Sequence, residues 1–114
     1  MTDWTRLDGV GVDRLWLRPL GLITGRPAAN AVAAGYARPL TTSYLAFTSI
    51  AAGGLESDRR PVWVTAPVAE IEAAIASSAG RFARRIQAQL AALSTSRLPW
   101  AGFALDRPLV MGVL

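Results

Sequence analysis

Eight carboxylates and twelve arginines are the only charged side chains in this 114-residue chain, and histidine and cysteine are both absent. Without cysteine there is no disulfide, no thiolate nucleophile and no zinc–thiolate site. Without histidine the chain lacks the usual general base near neutral pH and the commonest metal ligand, which closes Ser-His-Asp and Cys-His mechanisms. The acids that remain do not group into a site. Asp3, Asp8 and Asp13 recur every five residues, a spacing that matches no EF-hand loop, and Gly9 and Gly11 beside them fit a flexible tail. Glu70 and Glu72 stand two apart on an expected helix, so their carboxylates diverge and cannot share a proton. Gly9-Val10-Gly11 is too short for a dinucleotide loop and has no strand before it. No catalytic, cofactor-binding or metal-ligating residue is therefore assigned.

The cations leave two openings. Arg81, Arg84 and Arg85 lie together on the flank of a helix away from its apolar stripe, near the negative end of its dipole. They could dock a phosphate or a partner, but the plainer reading is a solvated face that stabilises its own helix. The net charge of +4 invites nucleic acid. Yet the arginines are spread along the chain, their exclusive use over lysine fits a GC-rich coding bias, and nucleic acid is not the expected partner. Trp4, Trp16, Trp63 and Trp100 could form a stacking platform for bases. Because Trp16 and Trp63 sit inside strand patterns, a packing role is expected instead.

The elements that must position these residues follow from pattern. Asp13 to Arg18 alternates, with Leu15 and Leu17 on one side and Arg14, Trp16 and Arg18 on the other, as in a half-buried strand that Pro19 ends. Thr24 can cap a helix with Pro27 in its first turn, running through Ala28 to Ala34 and stopped by Gly35. Arg38-Pro39-Leu40 and Tyr44 to Ile50 read as short extended pieces, and Gly53 to Arg60 as a loop carrying solvated Arg59 and Arg60. Pro61 to Thr65 is a strand, with Val62 and Val64 facing one way and Trp63 the other. Thr65 then caps a helix with Pro67 early and Glu70 and Glu72 near its positive end. Ile71, Ile75, Phe82, Ile86, Leu90 and Leu93 form one helical stripe, which Gly80 kinks or divides. Ser94 to Pro99 is a linker. Trp100 to Leu105 leads through an Asp106-Arg107-Pro108 turn into Leu109 to Leu114, a hairpin opening into a strand apolar on both faces.

The chain suits one small domain that buries roughly two thirds of its unfolded surface. Its longest apolar stretch, Pro39 to Leu55, is interrupted by threonine, serine and Gly53-Gly54, so no membrane span is expected. The acidic start has no secretory pattern, and a cytoplasmic location is the default.

Residues Phe103 to Leu114, FALDRPLVMGVL, resemble the opening of dihydropteroate synthase, a pterin-binding transferase of folate biosynthesis. In that family a short hairpin closes the bottom of a (β/α)8 barrel, and a strand like LVMGVL becomes the first barrel strand. The upstream WLRPLG, the alanine-rich helix, ARPL and AFTSI look like the extension some bacterial members place before the barrel. The resemblance implies an α+β fold, a small mixed sheet with two helices, in two parts. Residues 1–95 would be an N-terminal α/β extension. Residues 96–114 would be a hairpin and the first strand of a truncated barrel. It further implies a chain that condenses dihydropterin diphosphate with 4-aminobenzoate only when the rest of the barrel is present, with magnesium, and usually as a homodimer. The family signature Asn-Val-Thr-Pro-Asp-Ser-Phe would begin just past Leu114, so this fragment is expected to be inactive, with Leu109 to Leu114 supplying only barrel packing. Two alternatives stand beside it. One is the N-terminal part of a related pterin-binding methyltransferase. The other is a small basic module using Arg81, Arg84 and Arg85 to bind nucleic acid or a protein.

Overall fold

A computed structural model describes residues 2–41 and 45–95. The hairpin and terminal strand expected over 96–114 lie outside these residues. The described part is α+β, as expected, but the sheet is antiparallel throughout and not mixed. Four strands, β1 (Trp16–Thr24), β2 (Arg38–Pro39), β3 (Leu45–Leu55) and β4 (Pro61–Pro67), accompany three helices rather than two: α1 (Gly25–Ala33), α2 (Ile71–Ile75) and α3 (Ala83–Ser94). β3 is the centre. β1 runs along one edge of it from Thr24↔Leu45 to Trp16↔Gly53. β2 and then β4 share the other edge, at Arg38↔Phe47 and from Ser49↔Pro67 to Leu55↔Pro61.

Strand sidedness follows the alternation read from the sequence. Leu17, Ala52 and Val64 form one row across β1, β3 and β4, facing a core where Ala52 and Val64 are buried and Leu17 is partly so. α2, α3 and the turn between them close that core with Ile71, Ala74, Phe82, Ile86 and Leu90, against Leu15, Phe47, Ile50 and Ala66. The apolar stripe is thus real, and it is divided at Gly80 by a 3-10 turn over Gly80–Phe82. α1 packs separately, its Ala28 buried with Ala37 and Ala46. It ends in a Schellman motif: Tyr36 N–H donates to Ala31 O at 2.9 Å and Gly35 N–H to Val32 O at 3.1 Å. Gly35 takes the left-handed φ of 81° that this closure needs.

Several boundaries differ from those expected, each for a physical reason. Residues Val12–Arg14 form a 3-10 turn and the strand begins only at Trp16. Pro19 does not end β1, and it pairs with Ile50 inside it. Leu17 N–H points out of the sheet, to the Gln89 side chain at 2.8 Å. Pro19, two residues on, turns its nitrogen to the same open side, where no ladder donor is required. Thr65 does not cap a helix, because β4 carries on to Pro67 and a 3-10 turn over Val68–Glu70 precedes α2. The segment around Gly9 and Gly11 is no flexible tail. Trp4, Leu7 and Val10 beside it are buried in the main core.

The largest difference concerns Gly53-Gly54, which lie inside β3 and not in a loop. The turn shrinks to Glu56 through Arg60, with Arg59 N–H donating to Glu56 O at 2.9 Å. Both glycines serve close approach. A Cβ on Gly53 would stand 2.2 Å from Val62 O and 2.5 Å from the Trp63 ring, and one on Gly54 would stand 2.6 Å from Arg14 O. Gly53→Ala must therefore push apart the β3–β4 pair. It is expected to lower the unfolding free energy by about 1–3 kcal/mol, the usual range for overpacking, as measured by urea denaturation. An unchanged midpoint would contradict the close approach.

Candidate functional site

Two of the three arginines considered as a docking face, Arg81 and Arg85, bond the backbone of the N-terminal segment. Arg81, Arg85 and Gln89 recur at four-residue steps, one position before the buried Phe82, Ile86 and Leu90. A second stripe therefore runs beside the apolar one and faces the same N-terminal segment. Arg81 donates to Val10 O at 2.8 Å and Leu7 O at 3.3 Å. Arg85 Nε donates to Leu15 O at 2.8 Å. Gln89 reads the edge of β1 as another strand would, its Nε2 donating to Leu15 O at 2.6 Å while its Oε1 accepts from Leu17 N–H. Nor do these cations stand at a negative helix end. Arg84 and Arg85 occupy the first turn of α3, where the dipole opposes them, and for Arg85 the carbonyl bond offsets that opposition. Arg84 alone of the three has no hydrogen bond among the described residues and is exposed. The signal for this arrangement, the matched spacing of 81-85-89 with 82-86-90, was in the sequence. Its targets were not, because they lie 70 or more residues away.

The tryptophans divide. Trp4 is a core residue at 4% exposure, as expected, whereas Trp16 and Trp63 are 60% and 43% exposed. They are not packing residues of the core. The register sets Trp16, Gly53 and Trp63 in one row across three strands, on the face opposite Leu17, Ala52 and Val64. Two strand spacings put the tryptophan backbones roughly 10 Å apart. The Trp63 ring lies over Gly53, and the Arg85 guanidinium stacks on Trp16, 4.6 Å from the ring centroid. Between them opens a groove of about 450 Å³, lined by Arg14, Trp16, Gly54, Leu55, Pro61 and Trp63. Arg6 and Arg60 line a neighbouring hollow that shares Pro61 and Trp63. Arg18, two residues beyond Trp16, lies on the same face. Arg60 also bonds Glu56 at 3.0 Å, and this hydrogen bond, with the charge of Glu56, raises the guanidinium above its ordinary value.

The carboxylates considered from the sequence stay apart. Asp3 accepts from Thr5 as an N-terminal cap, and Asp3, Asp8 and Asp13 are all exposed. Glu70 and Glu72 are exposed as well. A cavity of about 250 Å³ beside Trp4 is lined by Glu70, Ala73 and Ala74 with no second titratable group. Among the described residues no group of three or more carboxylates stands close enough to hold a metal. No helix among the described residues is long and apolar enough to cross a membrane.

The stripe makes a graded prediction. Gln89→Ala strands the part-buried Leu17 N–H and is expected to lower stability by about 1–3 kcal/mol in chemical denaturation, whereas Arg85→Ala leaves Leu15 O bonded to Gln89 and is expected to cost about 0.5–1.5 kcal/mol. Arg84→Ala is expected to stay within about 0.5 kcal/mol, as for an ordinary surface change. Equal losses at all three positions would contradict the assignment. Comparison with protein-family models, with curated proteins and with solved structures finds no match for this chain.

Proposed function

We propose that this chain is the N-terminal part of a dihydropteroate synthase-like, pterin-binding protein: a non-catalytic α+β extension leading into the first strand of a barrel. The observation that carries the reading is the segment Phe103 to Leu114, with its Asp106-Arg107-Pro108 turn and Met111-Gly112 pair. That segment lies outside the described residues, so the support is one of sequence. The described part suits the role in one respect. It holds a core of its own, centred on Phe47, Ile50, Ile71, Phe82 and Ile86, and needs no barrel to bury its apolar stripe. On this reading the pterin diphosphate and 4-aminobenzoate are held by barrel loops, because a barrel gathers its chemistry at the C-terminal ends of its strands. Magnesium, a homodimeric assembly and a cytoplasmic location belong to the same proposal. A pterin-binding methyltransferase shares the barrel opening and is told apart only by which substrate is turned over.

A coupled assay of dihydropteroate formation tests the reading. The purified 114-residue chain is expected to give no turnover above buffer. The same chain extended through its genomic continuation is expected to condense the two substrates. Turnover by the short chain, or none by the extended one, would sink the proposal.

A further inference from the structure

We infer that the sheet face bearing Trp16, Gly53 and Trp63 binds single-stranded nucleic acid, a role beyond the one proposed above. Three observations converge on it. First, the two indoles are large, solvent-exposed and set in one row, and an aromatic side chain on an open sheet face offers its ring to a base. Trp63 is laid across Gly53, since any Cβ there would collide with its ring. Second, the groove between them, at about 450 Å³, lies within the usual range for a pocket that takes a drug-sized group, roughly 300–1,000 Å³. Third, arginines dispersed in the sequence gather in space around it. Arg14 lines the groove, Arg6 and Arg60 line the adjoining hollow, Arg18 shares the face, and Arg85 stacks on Trp16. Among the described lining residues Glu56 is the one carboxylate, and Arg60, which Asp58 also flanks, engages it.

The charge selects the occupant. Planar rings ringed by cations match a polymer that alternates bases with phosphates. A second copy docked through the same face would bring this arginine-bearing patch onto itself, a like-charge juxtaposition that opposes association. A bilayer calls for apolar side chains that project into it. Here one ring lies along the sheet and the space between the rings is a recess.

Fluorescence anisotropy of a labelled oligothymidylate, titrated with the 114-residue chain at low and at near-physiological salt, tests the inference. Binding is expected at low salt and is expected to weaken steeply as salt rises. Trp16→Ala is expected to weaken it roughly tenfold or more by removing one stacking surface. Arg18→Gln should reduce both the affinity and its salt dependence, and Arg84→Gln should leave both unchanged. Trp63→Phe, which keeps a ring over Gly53, guards against loss of fold, with circular dichroism as the control. No change in anisotropy at low salt would overturn the inference. So would native affinity in Trp16→Ala, equal affinity for duplex and single strand, or binding to phosphatidylglycerol vesicles without binding to the oligonucleotide.

Discussion

The carbonyls of Val10 and Leu15 are the groups on which this fold turns, for that of Leu7 already accepts from Val10 N–H at 2.9 Å. They belong to a segment of 3-10 turns and bends that precedes β1, so no strand ladder covers them as it covers the rest of the sheet. Yet Leu7, Val10 and Leu15 are themselves fully buried. Burying those side chains brings their backbone out of water, where an unpaired carbonyl is costly. α3 and the 3-10 turn that leads into it resolve the conflict with two adjacent stripes. Phe82, Ile86 and Leu90 hold the apolar side chains, and Arg81, Arg85 and Gln89 hold the carbonyls. The helix and its leading turn thereby bind the segment from Leu7 to Leu15 to the sheet, and the helix's position along its own axis is fixed by both sets of contacts together.

The second constraint is the narrowness of the sheet's central strand. Ala51, Ala52, Gly53 and Gly54 run in succession through β3, and their small size lets β1, β4 and the turn at Arg14 draw close to it. The vacancy left by Gly53 is filled from its neighbour by the ring of Trp63. The same packing decision that closes the sheet therefore leaves an indole displayed on the outer face. Structure and candidate binding surface share a cause there.

Much of this was legible beforehand, and the failures have a common origin. The stripe from Ile71 to Leu93, the division at Gly80, the stop of α1 at Gly35 and the sidedness of Leu15, Leu17, Val62 and Val64 all depend on short-range periodicity, which a sequence displays directly. Gly53-Gly54 read as loop residues because glycine is ambiguous until the neighbour it admits is known, and that neighbour is on another strand. Pro19 read as a terminator because its edge position, with the nitrogen facing outward, is a property of the sheet and not of the pentapeptide. Trp16 and Trp63 read as packing residues because they sit inside strand patterns, although their alternation with Leu17 and with Val62 and Val64 already puts them on the outer face. Arg81 and Arg85 read as solvated because their acceptors are main-chain atoms far along the chain, which no residue pattern marks. The terminal segment that carries the family resemblance stands apart from all of these, since its placement lies beyond the described residues.

The outer margin of β1 has a consequence for self-association. Exposed strand margins are templates on which another polypeptide can add by main-chain bonding, the first step toward fibrils. On β1 the outward amide of Leu17 is already occupied by the Gln89 side chain, and the next outward position is Pro19, which has no hydrogen to donate. An incoming strand thus finds two successive docking points closed, one by a mimic of itself and one by an imino ring. The margin is closed there by a side chain of α3 at one position and by an imino ring at the next, while the tryptophan-bearing face stays open.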